Sequence, residues 1–207
     1  WVLYLEGSTD LAILQALAAR LGHSASTALE RPFVHYVQNQ PSSAYNHFYG
    51  LREAKGDLVG FALFDRLDQP FEDKPGLALH QWSKREIENY ICHDATLRAW
   101  ARAQGGPDTL FGQQYEDAMV QATFEVTAAL RTLKKDPTSS DTKASDDYLD
   151  PLFEKFYQLG LPNLMRKTDY HALARFVDAT LIDEELVQVL DLIVDTASRA
   201  VPLDGAR

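Results

Sequence analysis

The sequence has few of the residues on which several kinds of chemistry depend. Its 207 residues include a single cysteine, Cys92, which excludes an intrachain disulfide and a zinc site built from several cysteines. The six histidines show no metal-ligand spacing, and no Gly-x-x-x-x-Gly-Lys-Ser/Thr loop is present, so we expect no ATP site in these residues. No apolar run is long enough to cross a membrane. We therefore expect a cytoplasmic protein that does not contact a membrane.

Positive charge is also scarce. Lys and Arg number 20 against 30 Asp and Glu, which gives a net charge of -10. A chain this acidic cannot hold nucleic acid on a nonspecific basic surface, because its field repels phosphate over most of the surface. Hydrophobic residues make up 45% of the chain and charged residues 24%, which is typical of a folded globular protein. Any handling of phosphate therefore requires cations or a few well-placed basic residues.

Strands and helices are predicted to alternate at the start of the chain. Apolar runs predict strands at residues 1–5, 33–37, 58–64 and 77–80. Helical spacing predicts helices at residues 11–21 and 44–54, between the first three strands. This order is typical of a parallel sheet with right-handed crossovers.

The rest of the chain is predicted to be mainly helical. Helices are expected at residues 84–91, 94–133 with a break at 105–107, 148–159, 169–178 and 183–200, with a mobile loop at 136–147. We therefore expect an α/β core at residues 1–91, an all-helical insertion at 92–160, and a C-terminal part, 161–207, that returns to the core.

Acidic residues follow the first and third predicted strands. Glu6, Gly7 and Asp10 come after the first, and Asp65 and Asp68 after the third. Parallel sheets bind ligands at the carboxyl ends of their strands, and Gly7 lets a substrate approach the backbone. Four carboxylates this close would repel each other unless a hard cation neutralised them, and oxygen ligands favour Mg²⁺ or Mn²⁺ over zinc. Taken singly, Asp10 also fits a first-turn acid favoured by the helix dipole, and Glu6 a turn residue.

These motifs resemble a known domain. A strand followed by Glu-Gly-x-x-Asp and a helix, and then an apolar strand ending in acids, resembles the Toprim domain of topoisomerases, primases, recombination-mediator proteins and OLD-family nucleases. Residues 84–90, Lys-Arg-Glu-Ile-Glu-Asn-Tyr, resemble a stretch found in OLD-family nucleases and related phage-defence proteins. Lys167, after the predicted insertion, resembles the family's late basic residue.

The layout is most similar to the C-terminal nuclease region of class 2 OLD proteins. The resemblance implies a Toprim-like Rossmannoid parallel sheet flanked by helices, with an all-helical insertion. In those proteins an ATPase domain precedes the Toprim domain. Because this sequence opens at Trp1, inside an apolar run, we expect it to be the nuclease fragment of a larger ATPase-nuclease.

The resemblance assigns roles to the acidic residues one at a time. Glu6 and Asp10 match the first Toprim motif, and Asp65 matches the first acid of the family's Asp-x-Asp. Position 67, where the second acid belongs, is Leu67, and the nearest carboxylate is Asp68. Either the turn bulges so that Asp68 reaches the site, or that ligand is lost.

Glu86 and Glu88 would supply further oxygen ligands. Two residues apart on a helix they diverge, so both serve only if the segment is irregular or if they bind different ions. The alternative interpretation of residues 84–90 is a solvated helix. Ser83 would offer a hydroxyl to a metal or to the scissile phosphate, or else cap the helix that begins after it.

Lys167 would neutralise the charge that develops on the phosphate, and the adjacent Arg166 is an alternative for that role. A surface cation near the start of a helix is the competing interpretation of Lys167. Together with Glu6 and Asp65, Lys167 makes up the expected catalytic set.

The function implied by the resemblance is DNA endonuclease activity with two Mg²⁺ or Mn²⁺ ions. The expected partners are DNA, the ATPase domain of the same protein and a second copy of the chain. Because of the negative charge, DNA binding is expected to be weak without divalent metal. Two alternatives stay open, namely a degenerate Toprim module that serves docking or dimerisation, and a Toprim RNase.

Overall fold

A computed structural model describes residues 1–67, 74–159 and 165–202. The chain divides into two compact units. The first, here the α/β unit, comprises Trp1–Trp82 and Asp183–Arg207, and the second, here the helical unit, comprises Ser83–Ile182. The sequence-based boundaries after residues 91 and 160 stay predictions.

The α/β unit contains a four-stranded sheet. Its strands are β1 (Val2–Leu5), β2 (Val34–Tyr36), β3 (Gly60–Phe64) and β4 (Leu77–Gln81). They lie in the order β2-β1-β3-β4, and all three pairings are parallel. The prediction of an α/β fold with a parallel sheet is therefore confirmed. The chain moves outward from β1 to β2 and then returns to the other side of β1, so the strand order reverses between β1 and β3.

Helices account for most of the remaining described residues. The α-helices are α1 (Ser8–Leu21), α2 (Ala25–Glu30), α3 (Pro41–Ala54), α4 (Asp94–Gln104), α5 (Leu110–Thr132), α6 (Asp150–Gln158) and α7 (Glu184–Ser198). Gly22, in the left-handed conformation with φ 61°, ends α1, and Pro41 occupies the first turn of α3, where its missing N–H costs nothing. The short helix α2 has no counterpart among the predicted elements. No helix in the described part of the chain is both long and apolar enough to cross a membrane.

Both faces of the sheet are covered. On one face, Val2 and Tyr4 belong to a buried cluster that includes Phe48 of α3. Side chains alternate along a strand, so Leu3 and Leu5 point to the opposite face, and they too are fully buried. Parallel strands covered on both faces take apolar residues at every position, which explains the unbroken apolar runs in the sequence.

The helical unit packs around aromatic side chains. The rings of Phe153 and Phe156 on α6 lie edge-on to Trp100 of α4, with centroids 5.1 and 5.7 Å away. Between α4 and α5 the chain turns through residues 105–107, where the sequence predicts a break. A Cβ on Gly112 would come within 2.1 Å of the Gly106 carbonyl oxygen, so the entry to α5 requires glycine.

Three predicted elements differ from the observed ones. In place of a helix at 84–91, the structure has one 3₁₀ turn, Ile87–Tyr90, and 3₁₀ geometry also replaces the predicted helix at 169–178, over Lys167–Phe176. Part of the predicted loop 136–147 is a π-helix, Ala144–Leu149. Ile87–Tyr90 is buried throughout and the π-helix begins with two buried residues, so neither segment has the solvent exposure that a solvated helix or a mobile loop implies.

A substitution at Gly60 tests how tightly the sheet is packed. A Cβ on this residue would lie 2.9 Å from Leu77 Cδ1 and 3.0 Å from Phe48 Cε2, both on buried side chains. We expect Gly60→Ala to lower the free energy of unfolding by about 1–3 kcal/mol in urea titrations. Gly50→Ala, on the exposed side of α3 with no described residue within 4 Å, should instead raise it by about 0.5–1 kcal/mol. Equal effects of the two substitutions would contradict this account.

Candidate functional site

The carboxyl ends of β1 and β3 bring two acidic residues to one edge of the sheet. Glu6 is the first residue after β1, and Asp65 is the first after β3. The two strands are paired neighbours, with Tyr4 opposite Ala62. Because the strand order reverses between them, this edge is the topological switch point, the position at which open α/β sheets bind their ligands.

Asp10 folds back from the first turn of α1 onto the end of β1. Its Oδ2 accepts hydrogen bonds from the backbone N–H groups of Glu6, at 3.0 Å, and Gly7, at 3.2 Å. Burial raises the pKa of Asp10 to about 6, and the charge of Glu6 adds to this rise. Asp10 therefore caps the helix, and none of the influences on its pKa among the described residues comes from a basic side chain. A cation bound beside it would lower the pKa of Asp10 again.

Gly7 leaves space next to these carboxylates. Its backbone is extended, with φ -150° and ψ 179°, a conformation that any residue adopts. Among the described residues, a Cβ there would meet only Thr9 Oγ1, at 3.9 Å. None of these residues therefore requires glycine at this position or fills the space beside its backbone.

The second acidic motif departs from the Toprim pattern in a defined way. Leu67 packs against the hydrophobic cluster under the sheet, and its backbone N–H donates to Gln81 Oε1 at 3.1 Å. This position is thus used for packing. Asp68, the predicted replacement for the second acid, lies outside the described residues.

Tyr36 also lies at this edge, where β2 ends. Burial and the charge of Asp10 both raise the pKa of its phenol, which keeps the hydroxyl protonated and able to donate a hydrogen bond. The side chain is 40% exposed. Tyr36 is not among the predicted site residues, although the carboxyl end of the predicted strand 33–37 lies at the same sheet edge.

The remaining predicted site residues lie in the helical unit. Glu86 is 3% exposed, and its Oε1 accepts a hydrogen bond from the backbone N–H of Ser145. Lys143 Nζ lies 4.0 Å from Glu86 Oε2. Burial raises the pKa of Glu86, while the contacts with Ser145 and Lys143 oppose that rise. Glu86 is therefore held as a buried acceptor inside this unit.

Lys167 belongs to the same charged group. Its Nζ pairs with Asp146 at 2.6 Å, and Lys143 Nζ pairs with the other oxygen of Asp146 at 2.8 Å. Hydrogen bonds from the two lysines hold the pKa of Asp146 below its usual value. Lys143 and Asp146 were missed in the sequence because they fall at the predicted loop 136–147. The adjacent Arg166 is the N-cap residue of the 3₁₀ segment, and its backbone N–H donates to Asp169 Oδ2 at 3.1 Å.

Ser83 and Glu88 take positions that a regular helix would not give them. Ser83 Oγ lies 3.3 Å from the Tyr90 hydroxyl, which also accepts a hydrogen bond from the Lys84 backbone N–H. The prediction that Ser83 caps a helix beginning at Lys84 is wrong, because the Tyr90 phenol holds this stretch and the 3₁₀ turn begins only at Ile87. Glu88, on that turn, is 8% exposed. The segment is irregular, which is one of the two conditions under which both glutamates serve as ligands.

The predicted site residues thus form two sets. Glu6, Gly7, Asp10 and Asp65 lie in the α/β unit, and the others that the structure describes lie in the helical unit. The convergence of both sets on one substrate stays a prediction. Across residues 1–67, 74–159 and 165–202, no three His, Cys, Asp or Glu side chains are grouped closely enough to hold a metal ion. The donor chemistry still fits Mg²⁺, which binds through one or two carboxylates and completes its shell with water and substrate phosphate.

No protein-family model, curated protein or solved structure matches this chain. A fold alone does not specify a function, so the function has to be argued from the residues at the site. The strongest of these observations are the carboxylates beside the switch point between β1 and β3.

Asp10 makes stability depend on pH. Its pKa rises from 3.8 to about 6 on folding, so the folded protein binds more protons than the unfolded chain between these values. The contribution of Asp10 to the free energy of unfolding therefore falls as pH rises through this range. We expect Asp10→Asn to remove that dependence and to stabilise the protein at pH 7 by about 2 kcal/mol, measured by urea unfolding across the range.

Asp57→Asn is the matched control, because Asp57 is exposed and its pKa is lowered by Lys55 rather than raised. It should give no stabilisation at neutral pH. An Asp10→Asn protein with unchanged pH dependence would contradict the assignment to Asp10.

Two substitutions of Glu86 distinguish the effect of its hydrogen bond on stability from the effect of its charge. Glu86→Ala leaves the Ser145 N–H without its acceptor and should lower the free energy of unfolding by about 1–3 kcal/mol. Glu86→Gln keeps an acceptor oxygen and removes a charge that burial disfavours, so its stability should stay close to that of the parent. Thermal and urea unfolding of both variants measure this, and equal losses would show that the charge itself is required.

Proposed function

We propose that the chain is a divalent-metal-dependent DNA endonuclease of the Toprim type, acting as the nuclease part of a larger ATPase-nuclease. The observation that carries the proposal is the pair of carboxylates at the topological switch point, Glu6 after β1 and Asp65 after β3, with Asp10 hydrogen-bonded beside Glu6. Acids alone at this edge would repel a phosphodiester, so the arrangement makes chemical sense with cations.

The chain's own residues supply binding and charge. Glu6, Asp10 and Asp65 would hold Mg²⁺ or Mn²⁺, and the open space at Gly7 would admit the phosphate backbone. Tyr36 would donate a hydrogen bond to a phosphate oxygen. When bound, the metal supplies Lewis-acid activation of water and of the phosphate, with two ions in the family's mechanism. Lys167 would stabilise the negative charge that develops on the phosphate.

The net charge of -10 sets conditions on this function. Carboxylates that hold cations reverse the local field, whereas the rest of the acidic surface still repels DNA. DNA binding by this chain should therefore be weak without divalent metal. The ATPase domain or a second copy of the chain would supply the basic surface that binds DNA. Competition between DNA and RNA of the same sequence distinguishes a DNA substrate from an RNA substrate.

A second candidate function is supported by Leu67. This residue stands where the Toprim pattern has its second acid, and it packs against the hydrophobic cluster. A domain in which this position packs in the core instead of binding a metal ion would keep the fold. It would then serve for docking or dimerisation in an ATPase assembly. Calorimetry separates the two proposals, because the degenerate module should bind no Mg²⁺ at millimolar concentration.

Plasmid nicking tests the nuclease proposal. Supercoiled DNA with Mg²⁺ or Mn²⁺ should be cut by the parent chain, and Glu6→Gln or Asp65→Asn should reduce the rate at least about a hundredfold, since even partners of metal ligands account for 10–100-fold. Lys167→Gln should slow cleavage with little change in metal affinity. Calorimetric Mg²⁺ titrations of each variant show whether a slower cleavage rate comes with a loss of metal affinity.

The control for the acids is Asp57→Asn, which alters a carboxylate of the same unit that precedes β3 instead of following it. This variant should cut DNA at the parental rate. Undiminished cleavage by Asp65→Asn would overturn the site assignment. A parallel assay with RNA of the same sequence decides between DNA and RNA as the preferred substrate.

A further inference from the structure

The helical unit contains a cavity of about 480 Å³ that the nuclease proposal does not use. Its walls come from the segment 84–94, from one side of α5, from Pro137 and Thr138 after that helix, and from Tyr148 of the π-helix. All of these lie within the one compact unit. Cavities that bind small organic molecules usually have volumes of roughly 300–1,000 Å³, so this one has a suitable size.

Two cations lie on the cavity wall. Lys84 is one of the lining residues, and its Nζ lies 4.1 Å from the centroid of the Tyr90 ring. Arg131, near the end of α5, is exposed and also lines the cavity. Acids lie close to these cations, namely Asp94 on the same wall and Asp136 near Arg131. An anionic ligand would therefore be held by direct contact with the two basic side chains and not by a positive field of the whole cavity.

The start of α4 adds a second source of positive potential. His93, its N-cap residue, makes no side-chain capping hydrogen bond, and it lines the cavity together with Asp94. The N-terminus of this 11-residue helix therefore favours an anion. The Asp94 carboxylate opposes that effect, although its pairing with Arg98 at 3.5 Å partly neutralises it.

One buried hydroxyl on the wall lacks a partner. Thr123 Oγ1 is close to the Tyr148 phenol but does not reach hydrogen-bond geometry, and it has no other partner within the described chain. A buried polar atom of this kind costs free energy unless a ligand or water satisfies it. The neighbouring surface of Tyr148 and Pro137 is buried and apolar in character, which suits an organic group.

We propose that this cavity binds a small phosphomonoester whose organic group is about the size of a nucleoside. Arg131 and Lys84 would hold the phosphate, assisted by the start of α4. The Thr123 hydroxyl would hydrogen-bond to a hydroxyl of the organic group, and the organic group would pack against Tyr148. The proposal is independent of the nuclease site, because it involves none of the residues assigned there.

Calorimetric titrations in EDTA test the proposal, since removing divalent metal silences metal-dependent phosphate binding elsewhere in the chain. The probes are dAMP, ribose 5-phosphate and inorganic phosphate. We expect dAMP to bind most tightly and inorganic phosphate most weakly, because only the nucleotide has an organic group large enough to fill the cavity. Comparable affinity for all three probes would show that the site recognises the phosphate alone. It would overturn the proposal that the organic group fills the cavity.

Variants on the wall give directional tests. Arg131→Gln should weaken dAMP binding about tenfold, because it removes one charge-assisted contact with phosphate. Asp94→Asn should tighten binding, since it removes the opposing carboxylate. Arg175→Gln, an exposed arginine of the same unit that does not line the cavity, is the control and should bind like the parent. Parental affinity in Arg131→Gln would overturn the proposal.

Cys92 provides a readout specific to this cavity, because it lines the wall and is the only cysteine in the chain. Burial raises its pKa to about 12, so its labelling by methyl methanethiosulfonate is slow and is best followed at alkaline pH. At a dAMP concentration near the parental Kd, labelling should be slowed clearly in the parent and in Arg175→Gln but hardly at all in Arg131→Gln, whose expected affinity is about tenfold weaker. Unchanged labelling at saturating dAMP would mean that the ligand binds elsewhere.

Discussion

The pairing of β1 with β3 is the constraint on which the candidate site depends. The two strands are buried on both faces, and the close contact of Gly60 with Leu77 and Phe48 leaves little freedom in how β3 sits beside its neighbours. Because the register is fixed, the residues that follow the strands are fixed as well. Glu6 and Asp65 thus meet at one edge as a consequence of core packing, without any attraction between two groups of the same charge.

Electrostatics at this edge oppose the stability of the folded protein. Asp10 stabilises the start of α1 through two backbone hydrogen bonds, yet its burial beside Glu6 raises its pKa to about 6. Such a carboxylate is costly to keep ionised in the folded protein and is relieved by a bound cation. Sites that destabilise the folded state in this way are typical of function, because packing alone would favour a neutral residue.

Different physics organises the helical unit. Glu86 is buried as an acceptor for Ser145, and the Tyr90 phenol holds the backbone at Lys84. The first of these contacts joins residues that are 59 apart in the sequence. In the same unit, Lys143 and Lys167 both pair with Asp146. The same packing leaves a cavity lined by cations beside α5. Buried polar contacts of this kind specify geometry because leaving any of them unmade costs free energy.

The sequence by itself determined the parallel α/β sheet, since apolar strands that alternate with amphipathic helices have few other ways to bury their surfaces. It also identified the acids after the first and third strands, because position relative to a strand end is a local property. It could not determine that residues 84–91 form a 3₁₀ turn, that Ala144–Leu149 is a π-helix, or that Leu67 packs inward. Only the tertiary structure decided these features, since they depend on contacts such as that of Glu86 with Ser145, 59 residues apart, whose energy overrides local propensity.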